Sequence, residues 1–257
     1  MSRKATIRSP CPQPPFALSN RQPAERSPDM PRNHFSPALF RFLRDLKANN
    51  ERDWFQDNKD RYLADVRDPA LSFVVDFGAH LARISPHFLA DPRPSGGSLF
   101  RIYRDIRFSK DKSPYKTAIG LHFRHELGKS AHTPGFYLHL EPRNCFVGVG
   151  IWRPDTPTLE KLRRAVADDP AGWRKMTEAR KFAQSFTISG EKLKRPPRGY
   201  PADHHLVEVL RLKDFTALAP LAQGQVTGPG FLEYFAELCR EGMALNRFIC
   251  RALSLPA

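Results

Sequence analysis

The chain has 257 residues, enough for one large domain or two small ones, and 41 Lys and Arg against 27 Asp and Glu leave it at +14. No apolar run approaches the ~18 residues of a membrane-spanning helix, and nothing resembles a secretory h-region. The expectation is a soluble, cytoplasmic protein without membrane association, and Cys11, Cys145, Cys239 and Cys250 show no CxxC spacing that would signal a zinc knuckle or disulfide framework.

The opening "MSRKATIRSPCPQPPFALSNRQPAERSPDM" carries six prolines and no helical or alternating period. Such a segment buries too little apolar surface to offset its ordering entropy, so residues 1–33 are read as a disordered leader, with Met30 an alternative start. Without the five basic and two acidic residues of 1–30, the remainder still carries +11. That excess favours polyanionic partners, a phosphate-bearing ligand or nucleic acid, although many basic cytosolic proteins bind nothing specific.

Residues 34–257 read as a single domain. Ser36 followed by Pro37 is an N-cap with proline at N1, and Leu39, Phe40, Phe42, Leu43 and Leu46 recur at helical spacing. "ERDWFQDNKDRYLADVRD" continues helically, and Asp68-Pro69 restarts a third helix that ends before Ser85-Pro86. After "DPRPSGG" the apolar period changes from 3.6 to 2. Four strands are predicted at about 98–107, 117–126, 135–141 and 145–152, as an antiparallel meander. Helices return at Thr156, with Pro157 at N1, and again in "GWRKMTEARKFAQ". "KLKRPPRGYP" is a basic loop, His204-His205 reads as capping or surface, and a closing helix covers about 229–253. The predicted class is α+β: a four-stranded antiparallel meander with helices before and after it on one face.

Alternation assigns the two faces of that sheet. Ile119, Leu121, Phe123, Phe136, Leu138, Leu140, Val147 and Val149 form the apolar set. Tyr103, Asp105, His122, Arg124, Tyr137, His139 and Glu141 crowd the other face, where Gly148 and Gly150 leave floor beside Trp152. Two imidazoles near carboxylates are the materials of general acid–base chemistry, which makes His122, His139, Glu141 and Asp105 the candidate catalytic groups. A solvated face laced with cross-strand ion pairs gives the same pattern. Arg104 falls on the apolar side, so a structural pairing is expected for it.

"RIYRDIRFSKDKSPYK", residues 101–116, holds six Lys or Arg and two Asp in sixteen residues. Ammonium groups, hydroxyls and free turn N–H groups suit phosphate oxygens. Arg101, Tyr103, Arg107, Lys110, Lys112, Lys116, Arg124 and Trp152 are therefore the candidate ligand-binding residues. "GVG" at 148–150 lacks the third glycine of a dinucleotide fingerprint, and "HELGK" lacks the second His of a zinc motif. No cofactor or metal is expected.

"FRIYRDIRFSKDKSPYKTAIG", "GFYLHLEP", "VGVGIWRPDTPTLEKLRR" and "LKRPPRGYPADHHLVEVLRLKDF" resemble the signature blocks of an uncharacterised bacterial and fungal family, domain of unknown function 2461. The resemblance runs from about Phe35 to the closing helix. It implies no reaction, cofactor or catalytic residue; it implies only that the charged stretch belongs to the family pattern. Three readings follow. A binding protein would engage a phosphate-bearing ligand or nucleic acid through the basic turn. An enzyme would act on a small anionic substrate with His139 or His122 as base, and a scaffold would use its basic surface alone.

Overall fold

The helices begin where local chemistry starts them. The Ser36 hydroxyl accepts from the Ala38 N–H and Pro37 occupies N1, opening α1 (Pro37–Ala48). The next stretch is broken rather than continuous: α2 (Arg52–Asp57), α3 (Lys59–Tyr62) and a π-helical turn over Leu63–Arg67 lead into α4 (Asp68–Ile84). The computed structural model describes residues 33–128 and 132–257, so all but one residue of the predicted leader 1–33 lies outside the described part.

Three strands form the meander: β1 (Ile119–Arg124), β2 (Gly135–Leu140) and β3 (Cys145–Ile151). After them come α5 (Thr156–Asp168), α6 (Pro170–Thr177), α7 (Arg180–Ser185), β4 (Thr187–Ser189), α8 (Val207–Leu210), β5 (Phe215–Leu221), α9 (Gln223–Val226) and α10 (Phe231–Ala252). Asp155 caps α5 by accepting from the Thr158 N–H, which puts Pro157 at the second helical position rather than the first. The His204 Nδ1 accepts from the Leu206 N–H at 3.1 Å in the turn before α8.

The sheet has five strands, not four, in the order β1-β2-β3-β5-β4, with every pairing antiparallel. Three differences from the sequence-based expectation account for the count: one predicted strand is absent, and two strands, the three-residue β4 and the longer β5, are not among those predicted. Residues 98–107 do not form a strand: they bridge Leu99 to Leu121 and Tyr103 to Tyr115, and the register slips by two residues between those bridges. That slip breaks the ladder into short pieces. The strand β5 escapes sequence reading because Leu218 and Pro220 spoil its alternation and proline argues against a strand interior. Here β4 reaches only Thr216–Leu218, so no strand on that side needs an N–H from Pro220.

Register puts Phe123, Phe136, Val149 and Ala217 in one row of the apolar face. The helices α4 and α10 cover this face, with Phe77, Phe123 and Phe235 ring to ring at 4.6–5.7 Å. Gly242 lets α10 approach: a Cβ there would come within 2.6 Å of Val149. Burying aromatic rings of this size is the main stabilising contribution, at roughly 1.5–3 kcal/mol per side chain. With one face sealed by helices, the opposite face is left to carry a site.

Candidate functional site: a cleft on the second sheet face

Side chains on the second face fall into three cross-strand rows. Gly120, His139, Phe146 and Pro220 make the first; His122, Tyr137, Gly148 and Leu218 the second; Arg124, Gly135, Gly150 and Thr216 the third. Glycines alternate with large rings, and the rings lie down over them. A Cβ at Gly120 would come within 2.5 Å of the Tyr137 hydroxyl, and one at Gly135 within 2.5 Å of His122 Nε2. Gly150 holds φ at +111° and a Cβ there would overlap the Phe215 carbonyl, so only glycine fits. The result is a cleft of about 790 Å³, with Phe100, Tyr137, His139, Phe146 and Trp152 among its walls.

Two cations are part of its lining. Lys116 precedes β1: its Nζ donates to the Arg101 carbonyl at 2.9 Å and lies 5.6 Å from the Phe100 ring centre. Burial, and then Arg101, lower its pKa. Arg153 follows β3, its guanidinium 4.7 Å from the Trp152 ring centre. The backbone at Arg153 is left-handed, φ +48°, a conformation that costs a non-glycine residue about 1 kcal/mol or more. The buried Asp214 carboxylate holds it there by accepting the Arg153 N–H at 2.6 Å.

The imidazoles differ in setting. His122 is 7% exposed and makes no side-chain hydrogen bond among the described residues, although Phe100 packs edge-on against it at 6.0 Å. Burial, aided by Arg124, depresses its pKa to about 4, so it is neutral at pH 7. His139 stacks on Phe146 at 4.7 Å and is bonded at both nitrogens: Nδ1 to the Tyr137 hydroxyl at 3.1 Å, Nε2 to Glu141 Oε2 at 3.4 Å. Burial lowers the His139 pKa against the opposing pull of Glu141, and burial pushes the Tyr137 phenol up to about 12.

A family model described as "Conserved hypothetical protein (DUF2461)" matches residues 38–248, most of the chain and all of the sheet. The chain belongs to this family. No curated protein and no solved structure matches it. The DUF2461 match spans the cleft and the charged stretch alike, so membership does not choose between them.

Geometry separates the two. His122, Tyr137, His139, Lys116, Gly148, Gly150 and Trp152 line the cleft. The other candidates lie elsewhere. Asp105 pairs with Arg107 at 2.7 Å on the exposed loop, and Arg107 holds its carboxyl down at about 2, so it orients neither imidazole. Tyr103 sits against Phe55 and Tyr115 rather than over the sheet. Arg104 does have a carboxylate, but an exposed one, Asp111, which also accepts from Ser113. Lys112 donates to the Ile106 carbonyl, Arg124 to that of Gly128, while Arg101 and Lys110 are exposed. Glu141 stands at the rim and reaches the cleft through His139.

Sequence reasoning missed Phe100, Thr133, Phe146, Arg153, Asp214 and Thr216 in the lining. Thr216 belongs to the unread strand β5. Arg153 and Asp214 become neighbours only through the β3–β5 pairing, and no local pattern announces that. Phe146 was legible, since alternation put it beside Gly148, but an aromatic in a strand attracts a core assignment. No group of three or more His, Cys, Asp or Glu among the described residues is arranged to hold a metal ion.

Proposed function

We propose that this DUF2461 protein binds a small molecule with a planar, largely apolar body and an anionic group, taken into the cleft on the second sheet face. The observation that carries this reading is His122. The His122 ring is mostly buried, but its nitrogens are not among the fully enclosed partnerless atoms of the described residues, which leaves them accessible from the cleft they line. It is a neutral imidazole, offering one donor and one acceptor, in the wall of a cleft whose described residues leave both unused. A ligand supplies what the fold does not.

The surroundings define that ligand. A cavity of about 790 Å³ is in the size range of small-molecule and cofactor sites. Phe100, Phe146 and Trp152 offer ring faces or edges to a flat body. Lys116 and Arg153 supply charge for an anion such as phosphate. The anion preference read from the sequence is kept, but moved from the turn into the cleft, with Lys116 common to both. Nucleic acid is the weaker reading. Arg104 and Arg107 of the turn are already paired with Asp111 and Asp105, which spends charge a polyanion would need.

Thermal shift of the full chain with 1-naphthyl phosphate, inorganic phosphate and 1-naphthol tests this. The naphthyl phosphate is expected to raise Tm more than either half, and Arg153→Ala and Lys116→Ala to reduce that rise. Equal stabilisation by inorganic phosphate alone, or by no compound, sinks the reading. Salt-dependent binding to single- or double-stranded nucleic acid that Lys110→Ala with Lys112→Ala abolishes would return the site to the turn.

A further inference from the structure

Tyr137, His139 and Glu141 are three alternate residues of one strand and its exit, so their side chains share a face and touch in sequence. Their hydrogen bonds have a direction that chemistry can assign. Glu141 Oε2 also receives the Asn144 side-chain amide at 3.0 Å, so this oxygen is an acceptor. His139 must then donate from Nε2, which makes Nδ1 an acceptor, and the Tyr137 hydroxyl donates to it. The tyrosine proton is directed at His139 Nδ1, along the cleft wall that both residues line. The lone pairs of the tyrosine oxygen are left for whatever occupies the cleft. No bland requirement of the fold demands this order, because a strand face needs no bonded chain running from a cavity wall to a carboxylate at its rim.

We infer that Tyr137 is a catalytic residue that takes a proton from a weakly acidic O–H or C–H of the bound planar anion, with His139 and Glu141 positioning and relaying behind it. The inference rests on the cleft reading above. The step balances in protons and charge. The ligand's bond to hydrogen breaks and its electron pair stays on the ligand; the proton goes to the Tyr137 oxygen. In the same event the tyrosine's own proton passes to His139 Nδ1. Tyr137 ends as it began, His139 becomes imidazolium beside the Glu141 carboxylate, and the ligand gains one negative charge. Lys116 lines the same cleft and is a cation available to that new charge. The phenol with its pKa near 12 does not ionise by itself, which suits a group that accepts and donates in one step rather than storing charge.

The groups around this relay come from several elements of the cleft. His122 and Lys116 approach from β1 and the segment before it, Phe146 from β3, and Glu141 with Asn144 from the β2–β3 turn. Arg153 and Asp214 line the cleft as well. Glu191, from the segment after β4, also lines the cleft and pairs with Lys213 at 3.2 Å. Glu141 is the carboxylate bonded to His139, and its pull toward imidazolium opposes the lowering by burial.

The probe is 4-nitrophenol, planar and anionic when ionised, whose ionised form alone absorbs in the visible. Absorbance titration with the full chain is expected to show bound probe ionised at lower pH than free probe. Tyr137→Phe and His139→Gln should each return the ionisation midpoint of bound probe to at least that of free probe. Glu141→Gln should shift it part of the way. Unchanged midpoints in Tyr137→Phe and His139→Gln overturn the relay and leave the cleft reading standing. So does a wild-type chain that binds 1-naphthyl phosphate but takes no proton from 4-nitrophenol. Failure of the wild type to bind either compound overturns both. Should the variants not fold, ¹⁵N NMR of the wild type decides. The relay requires His139 as the Nε2–H tautomer, and the Nδ1–H tautomer overturns it.

Discussion

The charged stretch 101–116 and the glycine-floored sheet face lie next to each other in sequence and differ in how they use their polar groups. In the stretch, Arg104, Arg107, Lys112 and Lys116 all have partners within the same loop: two carboxylates and two carbonyls. Its base is fixed as well, since the Asn50 side chain bonds both the N–H and the carbonyl of Tyr115 at 3.0 Å, and Phe55 stacks on the Tyr115 ring at 4.1 Å. On the sheet face fewer polar groups are present, and His122 has no side-chain partner among the described residues. Density of charge is thus a poor guide to a site. A mostly buried imidazole that lines a cleft without a protein partner is a better one, because its donor and acceptor stay available to whatever fills that cleft.

The largest effect expected on this contrast comes from the floor. Gly150→Val places a Cβ against the Phe215 carbonyl in a left-handed backbone that valine rarely adopts. Destabilisation of roughly 3 kcal/mol or more is expected, seen as a lower midpoint in urea unfolding. Gly148→Ala serves as the control, since a Cβ there meets only Leu218 and Tyr137 at 3.5–3.6 Å, ordinary contact. Alanine at 148 should leave the fold intact and weaken 1-naphthyl phosphate binding by filling floor. Equal urea midpoints for wild type and Gly150→Val would mean the floor is not held as tightly as the register implies.

Next in size is a pH effect carried by His122. Its folded pKa of about 4 lies below the ordinary 6.5, so below pH 6.5 the unfolded chain takes up a proton that the folded chain refuses until about pH 4. Stability is therefore full above pH 6.5 and falls as pH drops toward 4, by roughly 3 kcal/mol at about 1.4 per unit. His139, also lowered, acts in the same direction. Asp105, held near 2, titrates below this window. Urea unfolding at a series of pH values should show the slope, and His122→Gln should flatten most of it. A slope that survives the substitution would assign the effect elsewhere.

Much of this face is legible in the sequence itself. Period-2 alternation puts His122, Tyr137 and His139 together and pairs them with Gly148 and Gly150, because strand geometry is local and its two-residue repeat needs no partner to be read. The α+β class follows from the same change of period. What is not legible depends on pairings between distant segments. Residues 98–107 alternate like a strand, yet the two-residue slip against 115–121 denies them a continuous ladder. The strand β5 alternates poorly and is one anyway, because β3 offers it an edge along seven residues. Arg153 and Asp214 belong to the site only through that pairing. Charge in the turn is fully visible, and visibility overstates it, since composition does not say which Asp answers which Arg.

The smallest effect is expected at the loop tip, and there the contrast is most exposed to refutation. Phe108 is 96% exposed, with the Arg107 guanidinium 5.9 Å from its ring centre. An aromatic in solvent contributes no buried area, so Phe108→Ser should change unfolding stability by no more than about 0.5 kcal/mol. If the stretch 101–116 is self-satisfied, the same variant should also bind 1-naphthyl phosphate as the wild type does. A loss of binding with unchanged stability would mean that the tip folds over the cleft when it is occupied, bringing Phe108 and Lys110 to the ligand. The two regions would then be one site in two states, and the turn's charge would have a use after all.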